Sequence, residues 1–160
     1  MIALVFFVGA LSSNIYAGMN TEKPAAFNPS LNLNNRTDEI ASPSDWIQEN
    51  QINVYDSQVT LDLPNAEWAS FTDTHSMEPV LSSRTNAIEI VPKSTDEINV
   101  GDIVSYESKY AGGTIIHRVI EKSSDADGVY FIMKGDNNPD ADPGKIRFSQ
   151  IKRIVVAIIY

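Results

Sequence analysis

The chain has 160 residues, 42% of them hydrophobic and 21% charged, a length that suits one modest domain and is short for two. Twelve Lys and Arg against 21 Asp and Glu leave a formal net charge of −9, which argues against non-specific nucleic-acid binding and against a polybasic membrane-surface segment, since both need clustered cations. With no cysteine there are no disulfides, thiolate metal sites, Fe–S clusters or cysteine nucleophiles, and the two histidines, His75 and His117, are too few for a histidine-rich metal centre.

Residues 2–11 form an unbroken run of apolar and small side chains, weakened by Ser12, Ser13 and Asn14 and resumed at 15–18. At about 1.5 Å per residue, a helix over 1–18 spans roughly 27 Å, slightly less than a ~30 Å hydrocarbon core. No basic residue precedes the run, and Tyr16-Ala17-Gly18 is a weak cleavage site. The expectation is therefore an apolar N-terminal helix at 1–18 acting as an uncleaved membrane anchor, ahead of a cleaved signal peptide or a buried core helix. Lys23 and Arg36 are too few to set its orientation. Residues 19–44 read as a linker, with Pro24, Pro29 and Pro43, many Asn and almost no apolar periodicity.

From Asp45 the texture changes. Residues 46–50 suit one helical turn, capped by Ser44 or Asp45. After that the pattern is β. Ile52 and Val54, then Val59, Leu61 and Leu63, alternate with polar residues, as strands with one buried face do. Further strands are expected at 87–91, 103–107, 114–121, 129–134 and 154–160. Turn signals separate them at 111–113, at 125–128 and in the long loop 135–144. The segments 114–121 and 129–134 suit a hairpin. The fold class is mainly β: a small antiparallel sheet or barrel-like domain over 45–160, with long loops and little helix.

Three polar clusters stand beside these strands. They are Asp73-Thr74-His75-Ser76-Met77-Glu78-Pro79, Ile115-Ile116-His117-Arg118-Val119, and Lys134-Gly135-Asp136-Asn137-Asn138 running on to Asp140 and Asp142. A serine hydroxyl is a poor nucleophile until a base takes its proton. A histidine is mostly neutral at pH 7 and can do so, and a carboxylate then holds the imidazole in the useful tautomer. His75 is a poor base for Ser76, because adjacent side chains on extended chain point to opposite faces, and it reads as a surface residue. Arg118 is expected to point away from His117 and pair with a loop carboxylate. The 136–147 stretch mimics a calcium loop but has Ala141 where glycine belongs and Arg147 where the bidentate glutamate belongs.

Ser-Met-x-Pro, then Gly101-Asp102-Ile103-Val104, then His-Arg-Val, then Lys-Gly-Asp-Asn-Asn resembles type I signal peptidases, the archaeal and endoplasmic-reticulum subtype in particular, over about 72–160. In the bacterial subtype a lysine stands where His117 stands here. The resemblance implies Ser76 as nucleophile and His117 as general base. Asp136 and Asp142 fill the two functional aspartate positions, with Asp140 as the rival if the loop register shifts. The Thr74 hydroxyl and the Ser76 backbone N–H would stabilise the oxyanion. Also implied are shallow pockets for small residues before the cut, an extended substrate along a strand edge, and no metal or cofactor. The partners would be signal-peptide-bearing precursors and membrane lipid, with accessory or export-machinery subunits as further candidates and no nucleic acid. The catalytic domain would stand on the extracytoplasmic side of a single-pass anchor.

The chain departs from the family pattern in the long spacer between the apolar run and Ser76, filled by the linker and by 46–71, and in His75. Trp68 and Phe71, just ahead of the nucleophile word, suit core packing better than an apolar lip. A second hypothesis is an inactive, surface-anchored β module that binds extended peptides. A third, a self-cleaving regulator of related fold, is disfavoured by the apolar N-terminus and by the lack of a DNA-binding segment.

Overall fold

Runs rich in Val, Ile, Thr, Tyr and Phe, punctuated by Gly, Asp and Asn, favour extended chain over helix. The computed structural model describes residues 40–160, so the helix expected at 1–18 and the linker up to 39 lie outside the described residues. Two strands, β1 (Ile52–Val54) and β2 (Val59–Leu61), form a separate antiparallel ribbon. The others are β3 (Glu67–Ser70), β4 (Asn86–Ile90), β5 (Ile103–Ser108), β6 (Gly113–Asp125), β7 (Gly128–Lys134), β8 (Ile146–Arg147) and β9 (Ile151–Ile159). They make one seven-stranded sheet in the order β3-β4-β9-β5-β6-β7-β8, and every neighbouring pair is antiparallel.

The mainly β fold is therefore observed. The sheet is open, with β3 and β8 at its edges, rather than closed as a barrel. Among the described residues the helical elements are three short 3-10 turns, and no helix is long and apolar enough to cross a membrane. The helical turn expected at 46–50 appears at Glu49–Gln51. The expected hairpin forms and is longer than its apolar pattern suggested. The polar residues 122–125 continue β6, so that Asp125 pairs with Gly128 and only Ala126 and Asp127 are left to turn. Gly128, at φ 101°, supplies the left-handed residue at that turn.

The sheet buries both faces around its centre. On β5, Val104 and Tyr106 point one way and Ile103 the other, as the two-residue period requires. The first face packs Val104, Tyr106, Val119, Phe131, Met133 and Ile154 into the larger core. The second packs Ile103 with Ala87, Val155, Met77 and Leu81. Asp102, fully buried, is satisfied by the N–H groups of Ser44 and Asn99 and by the Trp46 indole. Arg118 also donates to the Ala41 carbonyl. The packed domain thus takes in residues 41–44, which composition alone had assigned to the linker.

Other expectations are corrected. Ile52, Val54 and Val59 are exposed, because their ribbon pairs with itself and not with the sheet. Trp68 is 66% exposed, with its indole N–H on the Asn86 side chain, so it is not a core residue. Phe71 does pack, against the Met77–Leu81 cluster. The edge strands β3 and β8 are short and carry charge, so they gave no strand pattern.

Phe131 is fully buried in the larger core. Phe131→Ala is expected to lower stability by about 3–5 kcal/mol in chemical denaturation, the usual cost of emptying a large aromatic site.

Candidate active site

Ser76 lies in a tight turn between β3 and β4, whose conformation is set from outside. His75 adopts φ 59°, a left-handed backbone uncommon for a non-glycine residue. Its carbonyl accepts from the Asn137 side chain, and the Ser76 carbonyl accepts from the Asn137 backbone N–H. The backbone N–H of Asp136 rests on the Met77 sulfur. Gly135 is what lets the two segments meet, because a Cβ there would stand 2.6 Å from the Ser76 carbonyl oxygen. The Lys-Gly-Asp-Asn-Asn word thus clamps the Ser76 turn by its backbone and amide groups.

His117 and Arg118 are consecutive on β6, so their side chains leave opposite faces of the sheet. His117 shares its face with Ile115 and Val119 and pairs in register with Val104 on β5. Its Nε2 lies 3.1 Å from Ser76 Oγ and its Nδ1 2.6 Å from Asp142 Oδ2. Arg118 faces the other way and holds Asp136 through two bonds of 2.7 and 2.6 Å. Both members of that ion pair are buried, and Arg118 is further satisfied by the Gly101 carbonyl.

Of the sequence-derived site residues, the structure brings Ser76, His117 and Asp142 together in one chain of hydrogen bonds. Of the aspartates expected to orient His117, the structure puts Asp142 there, and Asp136 makes its contacts with Arg118 instead. Strand alternation sends it to Arg118, where it fixes the base of the loop. Asp140 is exposed at the loop tip. Asp142 is set by its own backbone N–H, which donates to the Met133 carbonyl. Thr74 Oγ1 stands 3.2 Å from Ser76 Oγ. With Ser76 donating to His117, the geometry leaves Thr74 as the donor to Ser76. Lys134 ends β7 opposite Arg118.

Sequence reasoning missed Tyr106. Its hydroxyl donates to the same Asp142 oxygen that meets His117, at 2.6 Å. Burial, then the hydrogen bond to Asp142, pushes the phenol well above its ordinary range, so it stays a donor at any physiological pH. The signal available was weak: a tyrosine two residues after Val104 on a strand paired with the histidine strand.

His75 lies on the surface, as expected. It is held between two carboxylates, with Glu78 at Nδ1 (2.9 Å) and Asp73 at Nε2 (3.8 Å). The hydrogen bond to Glu78, then the charges of Glu78 and Asp73, raise its pKa above the ordinary 6.5. The two carboxylates meet opposite nitrogens of one ring, an arrangement that favours its protonated form.

A groove of about 450 Å3 opens at Ser76, bordered by residues 69–72 and by Thr114, Ile115 and Ile116 of β6. The β7 ladder begins only at Arg118, so the edge of β6 just before His117 is unpaired on that side. An extended chain could add there without displacing a strand.

No family model matches this chain. It is similar to the uncharacterized protein MJ0260 of Methanocaldococcus jannaschii, 41% identical over 66 residues. That match takes in 41% of this chain and 30% of the relative, so the chain spans less than a third of the protein it matches. No solved structure matches.

The two loop aspartates are expected to behave differently. Asp136→Ala strands a buried guanidinium and is expected to cost about 3–5 kcal/mol in denaturant unfolding. Asp142→Asn is expected to cost far less stability. A histidine NMR titration is expected to place His75 above 6.5, and Glu78→Gln to return it toward 6.5. Because the folded value is raised, the stability that His75 contributes is present below pH 6.5 and fades as pH rises through its folded pKa.

Proposed function

We propose that this chain is a membrane-anchored serine endopeptidase resembling type I signal peptidase, which removes signal peptides from exported precursors on the extracytoplasmic side. The observation that carries the reading is the Ser76–His117–Asp142 relay, with Oγ on Nε2 at 3.1 Å and Nδ1 on Oδ2 at 2.6 Å.

In this mechanism the substrate lies extended along the open edge of β6. His117 Nε2 takes the Ser76 proton as Oγ attacks the scissile carbonyl. Nδ1–H, held by Asp142, keeps Nε2 as the accepting nitrogen and steadies the imidazolium as it forms. The Ser76 backbone N–H and the Thr74 hydroxyl would serve as the donors to the oxyanion. His117 then returns the proton to the leaving amine, and the acyl-enzyme is hydrolysed by water activated in the same way. Each step moves one proton between Ser76 or water, His117 and the leaving group.

The direct test is cleavage of a signal-bearing precursor by the full chain in lipid. Ser76→Ala and His117→Ala are each expected to cut the rate by about 10⁶, and Asp142→Asn by about 10⁴ through the wrong tautomer. Removing the Thr74 hydroxyl is expected to cost about 10²–10³ in kcat, the scale of one oxyanion donor. Precursor that binds wild type but stays intact would instead favour a peptide-binding module.

A further inference from the structure

The groove beside Ser76 has a floor of two characters, set by one face of the sheet. Nearest the nucleophile turn it is apolar, formed by Met77 and Leu81. Further along the same face it becomes polar. Register places Ile116, Ser105 and Arg153 in one cross-strand row over β6, β5 and β9, with Glu89 two residues beyond Ala87 on β4 and Glu67 directly opposite it on β3. Ile116 immediately precedes His117, so this row starts one residue from the base.

The charges in this region do not balance. Arg153 Nη2 is committed to Glu67 at 2.5 Å. Lys152, the other groove cation, is committed to Glu107 at 2.8 Å. Glu89 is 6% exposed and lines the groove, and it forms no salt bridge among the described residues. Arg153 Nε is buried with no hydrogen-bond partner among the described residues. Two carboxylates therefore share one guanidinium, Glu67 in the open and Glu89 buried. Burial holds the Glu89 carboxyl above its ordinary range, opposed by the Arg153 charge and a hydrogen bond from Ser105. A buried acid without a full partner is costly to the fold unless something else meets it.

We propose that the polar end of the groove is a subsite for a cationic substrate side chain, lysine or arginine, with Glu89 as its principal partner and Glu67 as the second carboxylate. The proposal rests on the groove being where substrate lies, and it adds a charged selection to the small-residue pockets that the resemblance implies. An ammonium or guanidinium entering there brings the local charge to zero and satisfies Glu89. An acidic side chain would add a third negative charge beside Glu67 and Glu89, and an aliphatic one would leave Glu89 as it is.

The test uses the full chain in lipid with Ser76→Ala, so that binding is measured without turnover. The probes are fluorescent signal-like peptides carrying lysine, norleucine or glutamate in turn at each position flanking the cut. At one position lysine is expected to bind about tenfold tighter than norleucine, and glutamate more weakly than both, the scale of one desolvated charge pair. Glu89→Gln is expected to abolish that preference while leaving the norleucine peptide's affinity unchanged, which also shows that the variant is folded. Equal binding of lysine and norleucine peptides at every position would overturn the proposal, as would a lysine preference that survives Glu89→Gln. Because the peptide series needs no variant at Glu89, the proposal stays testable if that variant misfolds. A lysine preference in binding, with no cleavage by wild type, would remove the peptidase reading and leave the subsite standing.

Discussion

Consecutive residues of a strand face opposite ways, and the site is built on that constraint at His117 and Arg118. Each needs a carboxylate, and both carboxylates come from one loop, Asp136 for Arg118 and Asp142 for His117. The loop must therefore straddle β6, passing from one face of the sheet to the other within a few residues. The buried Arg118–Asp136 pair pins its first end. The Met133 carbonyl and the Tyr106 hydroxyl pin its second. Between them the backbone of 135–138 lies against the Ser76 turn, so the same loop positions both Ser76 and Asp142.

This division explains which parts of the site were legible in the sequence. Ser76 and His117 stood out because their neighbouring words are distinctive. The two aspartates could not be ranked from spacing alone, since both sit in the same polar loop. Ranking them requires knowing that Arg118 alternates with His117 and that a buried guanidinium takes the nearer carboxylate bidentately. The glycine at 135 carried a signal of its own: it belongs where backbone meets backbone, and it meets Ser76. Tyr106 was invisible because a tyrosine on an apolar strand is ordinary core, and only the third dimension brings its hydroxyl to Asp142.

The fold was legible to a similar depth. The long central strands announced themselves by apolar runs buried on both faces. The extension of β6 through polar residues did not, because its outer end is held by the Asp125, Lys145 and Arg147 cluster and not by apolar packing. The alternation at 52–61 predicted strands correctly and burial wrongly. Pattern reports which residues share a face, and Ile52, Val54, Val59 and Leu61 do share one. It does not report whether anything covers that face.

The ties of residues 41–46 to Arg118 and Asp102 have a mechanical consequence. Tension arriving along the chain from the N-terminal side meets these bonds first, and passes through them into the central strands. The stretch between Trp46 and β3, with its exposed ribbon, lies outside that line of force. It is a side ribbon paired on itself and fastened to the body by Trp46 and β3, so its length can vary without dragging on Ser76.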